Sequence, residues 1–264
     1  MKLNSQIIGN GHPLVILHGL YGSSDNWLSH GKELSDHYEV HLVDQRNHGN
    51  SPHSKEHNYT AMEGDLLQYL DDHQIERAVL IGHSMGGKTA MFFALAHPER
   101  VSALIVVDMS PKAYDSLEDA KTLYHKEIFQ GLRSLDLSSL KNRTEAEEQL
   151  AEYIPQGRIR KFLLKNLQRK TEDKSFYWQL NLEGLWDSLD NILEGIDPEM
   201  TSPVTAFPVL FIRGEKSGYI DDDTIPLIRA IFPYAELETI EDTGHWLHAE
   251  KPDDFMRVVN EFLD

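Results

Sequence analysis

The chain has 264 residues, 40% of them hydrophobic and 26% charged, which suits one large domain with a substantial core and excludes a disordered polymer. Its 43 acidic against 25 basic side chains give a formal charge of −18, which argues against nucleic acid or an anionic membrane face as a partner. With no cysteine there is no disulfide framework, no thiolate nucleophile and no cysteine metal site.

The opening MKLNSQIIGNG lacks the apolar core and small-residue cleavage site of an export signal, so the expected location is cytoplasmic. Pro13 to Leu17, Val40 to Val43, Ala78 to Ile81 and Ala103 to Val107 are short, β-branched apolar runs, predicting strands buried on both faces of a parallel sheet. Between them, Thr60 is expected to cap a helix carrying Met62, Leu66, Leu67 and Leu70, and Met85 to His97 predicts another that stops at Pro98. From Pro111 to about Pro203 the alternation gives way to a helical pattern. It resumes with a strand at Pro208 to Ile212, a helix from about Asp222 to Phe232, a strand through Leu237 to Ile240 and a closing helix from Pro252 to Leu263. The expected architecture is an α/β core, residues 1–110 and 204–264, with helices on both faces of a mostly parallel sheet and a helical cap, 111–203, inserted into it.

Chemistry is densest at Gly82-His83-Ser84-Met85-Gly86-Gly87. A serine with glycines two before and two after, between a buried strand and an apolar helix, fits a nucleophile elbow. Gly82 and Gly86 are expected because a β-carbon at either would strike neighbouring backbone. His18-Gly19-Leu20 directly follows the first buried strand, so its amides emerge at the same sheet edge. The expected oxyanion donors are the backbone N–H groups of Leu20 and Met85. A base is expected after the last strand, where Thr243-Gly244-His245-Trp246 precedes the closing helix. Of the fourteen histidines, His30, His37, His41, His53, His57 and others fall at no metal-ligand spacing, and His245 is singled out by topology.

These motifs carry a resemblance. With Asp44-Gln45-Arg46-Asn47-His48-Gly49-Asn50-Ser51, Val107-Asp108-Met109-Ser110-Pro111 and Gly244-His245-Trp246-Leu247-His248-Ala249-Glu250-Lys251-Pro252, the sequence resembles the α/β-hydrolase superfamily, and within it the bacterial YbfF-type esterases. The likeness spans nearly the whole chain, reaching the cap at Phe162-Leu163-Leu164-Lys165. It implies hydrolysis of carboxylic esters or thioesters of small to medium acyl chains through an acyl-enzyme on Ser84, with neither a metal nor an organic cofactor. The alternatives on the same scaffold are a cofactor-free perhydrolase, a carbon–carbon bond hydrolase and a non-catalytic ligand-binding protein. Arg46 is expected to order a loop beside the oxyanion hole.

The acid partner of His245 is less direct. The usual place for it in the α/β-hydrolase superfamily that the sequence resembles is three residues after the turn glycine, here Gly214, and Ser217 stands there. Glu215, Asp221 and Asp242 are nearby carboxylates, but Asp221 opens a predicted helix and Asp242 stands too close to the histidine. Asp108 ends the strand next to the one carrying Ser84, in the Val-Asp-x-x-Pro context that the resemblance implies for the acid, so Asp108 is the expected partner.

In the cap, Ile159, Phe162, Leu163 and Leu167 share helical spacing, either lining an acyl pocket or packing on the core. Trp27 and Trp186 are expected to form walls of the substrate pocket. Arg158, Arg160, Lys161, Lys165, Arg169 and Lys170 cluster against the overall acidity, as a solvated face or as a landing site for an anionic leaving group such as that of an acyl-CoA thioester. Oligomeric state has no signature in the sequence.

Overall fold

The structure is a computed structural model that describes residues 1–114 and 119–264. In chain order the elements begin with β1 (Ser5–Ile8), β2 (His12–Leu17), α1 (Leu28–Leu34), β3 (Tyr38–Val43), α2 (Tyr59–Asp72), β4 (Ala78–His83), α3 (Met85–Ala96) and β5 (Val101–Val107). Next come α4 (Ala120–Ser134), α5 (Arg143–Leu150), α6 (Gly157–Leu163), β6 (Leu167–Arg169), β7 (Phe176–Trp178), α7 (Leu182–Asp187) and α8 (Leu189–Leu193). The chain closes with β8 (Val209–Gly214), α9 (Ile225–Ile231), β9 (Glu236–Ile240), α10 (Leu247–Glu250) and α11 (Pro252–Leu263).

Seven strands form one sheet in the order β1-β3-β2-β4-β5-β8-β9, parallel except for β1, which pairs antiparallel with β3 at the edge. The pleat sends alternate side chains to opposite faces. On β2, Leu14 and Ile16 join one apolar cluster with Phe255 and Val259 of α11, while Val15 and Leu17 join the other with Leu66 of α2 and Phe93 of α3. Both sets are almost wholly buried, which is why these strands read as continuous apolar runs. The second cluster continues into α4, α5 and α7 through Ile128, Phe129, Ala146 and Leu185.

Three local readings are corrected. Asn58, not Thr60, caps α2, because its side-chain oxygen accepts the Ala61 N–H at 2.8 Å. The helix expected from Asp222 starts at Ile225, because Asp221 and Thr224 close a turn on each other: the Asp221 carboxylate accepts the Thr224 N–H at 2.9 Å. The stretch 111–203, of which 115–118 lie outside the described residues, also contains the hairpin β6–β7, antiparallel from Leu167 opposite Trp178 to Arg169 opposite Phe176. Each of its strands has three residues, too short to show alternation in sequence.

Candidate active site

Between β4 and α3 the turn consists of Ser84 alone. Its backbone sits at φ 54°, ψ −121°, a conformation that side-chain-bearing residues rarely adopt and that surrounding structure must hold. The turn is tight enough that a β-carbon on Gly86 would lie 2.3 Å from the Leu17 carbonyl oxygen, and one on Gly82 2.3 Å from that of Gly86. Both glycines are therefore required by backbone, which cannot step aside as a side chain can. Met85 is the first residue of α3, so its N–H has no acceptor within the helix.

The loop after β2 runs against this turn. A β-carbon on Gly19 would come within 2.9 Å of His83 Nδ1 and 3.0 Å of Ser84 Cβ, so glycine permits the approach. The loop is fixed by the Asp44-to-Ser51 segment: the Gln45 N–H donates to His18 Nε2 at 3.0 Å, and the Gln45 side-chain amide donates to the His18 carbonyl at 2.6 Å. The Tyr21 N–H reaches His48 Nε2 at 3.3 Å. Arg46 in turn is bound by Asp65 at 2.6 Å and by the carbonyls of Glu56 and Ala61. Leu20 stands between these braces, and among the described residues its N–H has no acceptor.

Asp108 directly follows β5, fully buried and also at positive φ, 48°. One carboxylate oxygen accepts the Gly214 N–H at 3.0 Å; the other lies 2.7 Å from His245 Nδ1 and accepts the Ser217 hydroxyl. The serine found where an acid was expected thus donates to Asp108. Glu215 accepts the Asp242 N–H at 2.8 Å, and Asp221 is occupied in its turn with Thr224. The His245 ring is stacked on Tyr219 at 4.1 Å between centroids, and its backbone carbonyl accepts from His83 Nε2 at 2.9 Å. Burial, with the neighbouring His245, pushes the His83 pKa down to about 3, so His83 is a neutral donor at ordinary pH.

Ser84 and His245 line one small cavity with Leu20, Tyr21, His83 and Tyr219 from the core side, and Tyr124, His125, Ile128, Ile159, Phe162 and Leu163 from the far side. Its volume is about 20 Å³, room for about one water molecule. The cavity thus brings together a serine on a strained turn and an imidazole tied to a buried carboxylate, groups that acyl transfer uses.

A model of the α/β hydrolase fold matches residues 12–252. The chain belongs to the α/β-hydrolase family. A solved marine microorganism esterase superposes with a TM-score of 0.95 at 46% identity, covering 99% of both chains. The sn-1-specific diacylglycerol lipase of Danio rerio is 41% identical over 261 residues, 97% of this chain and 79% of its own. The esterase YbfF of Escherichia coli K12 is 34% identical over 271 residues, spanning both chains entirely.

In this α/β-hydrolase neither tryptophan expected at the pocket reaches it. Trp27 is 1% exposed in the core, its ring stacked on His248 at 4.4 Å and packed edge-on to Phe255. Trp186 stands behind the cavity wall, edge-on to Phe129, with the Arg133 guanidinium over its face at 5.1 Å. The aromatic walls are Tyr21, Tyr124, Phe162, Tyr219 and Trp246, and no sequence signal distinguished these from other buried aromatics. Leu167 is buried in the hairpin strand β6. Phe162 and Trp246, 5.9 Å apart, also line an outer groove of about 230 Å³ with Ile159 and Ala249, rimmed by Arg158, Lys161 and Lys165. Two other cations of the cluster are held elsewhere: Arg160 donates to the Ile154 and Pro155 carbonyls, and Arg169 to that of Lys141, while Arg158 at the rim lies 3.7 Å from Glu250. Among the described residues no helix is long and apolar enough to cross a membrane, and no group of three His, Cys, Asp or Glu side chains is placed to hold a metal ion.

Proposed function

We propose that this α/β-hydrolase works through Ser84 as nucleophile, His245 as general base and Asp108 as the carboxylate that orients the base. The chain is a carboxylic ester hydrolase, in keeping with relatives named as esterases and lipases that match it over nearly its full length. The observation that carries the assignment is the 2.7 Å contact of His245 Nδ1 with the buried Asp108 carboxylate, at a cavity shared with Ser84 on its strained turn. With Nδ1–H held by Asp108, Nε2 carries a lone pair and accepts the Ser84 proton as Oγ attacks the acyl carbonyl. Negative charge on the former carbonyl oxygen is met by the N–H groups of Leu20 and Met85, which need not reorient as the charge develops. Collapse of the adduct breaks the bond to the leaving alcohol or thiol, which takes the proton from His245. Water repeats the sequence on the acyl-enzyme, releasing the acid and restoring Ser84.

On the leaving-group side we extend the reading to thioesters with a phosphate-bearing thiol, acyl-CoA among them. The outer groove supports this through Arg158, Lys161 and Lys165 on a chain that is otherwise strongly acidic. The assignment is tested by Ser84→Ala, a small change on a preformed turn. The variant should fold with an unchanged far-UV spectrum and lose turnover of p-nitrophenyl esters by about 10⁶-fold. Retention of a tenth of the activity would remove Ser84 from the mechanism.

A further inference from the structure

One polar group facing the cap side of the cavity has nothing to bond. Tyr124, on α4, has a buried hydroxyl without a hydrogen-bond partner among the described residues, and it lines the cavity with Ser84 and His245. Its polar neighbours are satisfied: the hydroxyl of Tyr21 lies 3.2 Å from His125 Nδ1 and that of Tyr219 lies 3.3 Å from His125 Nε2. Burial pushes the His125 pKa down to about 3, so the ring is neutral and offers one donor and one acceptor, both in use. Burial likewise raises Tyr124 to about 12, leaving an uncharged phenol.

A phenol hydroxyl gives up its bonds to water on burial, and native structures leave few such groups unpaired. Phenylalanine would fill the same space without that loss. A hydroxyl kept unpaired at the cavity where substrate must enter is suited to a partner that substrate brings. Among the described residues no Lys, Arg, Asp or Glu side chain lines this cavity, so an ionised group entering it would shed water and find no countercharge in that lining. The partner is therefore a neutral oxygen, and charge on the substrate belongs at the outer groove.

We propose that Tyr124 is a specificity-determining residue whose hydroxyl bonds a second, uncharged oxygen of the substrate, a hydroxyl, ketone or ether beside the scissile ester. The proposal rests on the reading of the cavity as the ester-hydrolysing site. It is tested with Tyr124→Phe and two matched substrate pairs: 2-hydroxyethyl against propyl butanoate, and 3-hydroxybutanoyl against butanoyl p-nitrophenyl esters. The wild type should prefer the oxygenated member of at least one pair by about tenfold in kcat/KM, the scale of one hydrogen bond. In the variant that ratio should fall to near one, with a Tm no lower than wild type because the group removed was unpaired. No preference in either pair, a preference that survives the substitution, or a lowered Tm with all esters losing rate alike would each overturn the role of Tyr124. Failure of the wild type to cleave any of the four esters would instead count against the ester-hydrolysing reading of the cavity.

Discussion

On the core side of the cavity, Ser84 and Asp108 both stand at positive φ at the ends of neighbouring strands, and the glycines around Ser84 are packed against carbonyl oxygens. On the cap side, Tyr124, His125, Ile128, Ile159 and Phe162 project from the helices α4 and α6, where any residue of similar size fits the backbone. The core therefore places its groups through main-chain geometry, and the cap places its groups through side-chain packing. Errors of under an ångström matter for proton transfer and much less for wrapping an acyl chain. On the proposed mechanism, the difference would give turnover to the core and choice of substrate to the cap.

The sharpest way to break this division is Asp108→Asn, which keeps the shape of the buried side chain but favours the wrong tautomer of His245. Turnover should drop by about 10⁴-fold while Glu215→Gln and Asp221→Asn each stay within about tenfold. Steady-state kinetics on a p-nitrophenyl ester would reveal the reverse ranking, which would return the acid to the turn after β8. A second effect concerns stability. Burial holds His57, His83 and His125 neutral, each with its pKa lowered from 6.5 to about 3, so below pH 6.5 the unfolded chain binds protons that the folded chain refuses. The stability present above pH 6.5 should be lost as pH falls toward 3, by up to about 1.4 kcal/mol per pH unit for each ring. Thermal melts from pH 7 to pH 5 should show a falling Tm, and a flat profile would contradict the burial of these imidazoles. The smallest effect belongs to the groove. Replacing Arg158, Lys161 and Lys165 together by glutamine should slow an acyl-CoA thioester relative to a neutral ester by roughly fivefold at low salt, and abolish its extra salt sensitivity. Equal effects on both substrates would leave these cations as a solvated face.

The same division explains what could be read from the sequence. The elbow is legible because its backbone admits only glycine at Gly82 and Gly86, a demand written in residue type. His245 follows from strand order. Asp108 was one of four nearby carboxylates, and its place at a strand end separated it from Asp221, whose bond to Thr224 is a turn device. Ser217 was visible only as a departure from the expected acid; that its hydroxyl donates to Asp108 depends on β5 and β8 pairing side by side. Trp27 and Trp186 misled because an aromatic near a loop carries no sign of which way it faces: Trp27 is buried on His248, and Trp186 is half-buried on Phe129. Tyr124 and His125 were missed for the same reason: on an amphipathic helix, core-facing and cavity-facing positions share one periodicity.

The central claim, that the hydroxyl on the strained turn is the nucleophile, is tested most directly by covalent capture. Wild-type protein treated with a serine-directed p-nitrophenyl phosphonate, digested and mapped by mass spectrometry should carry the phosphonyl group on Ser84 alone, and Asp108→Asn should acquire it far more slowly. Stoichiometric label on any other residue, or active protein that takes up none, would contradict the account.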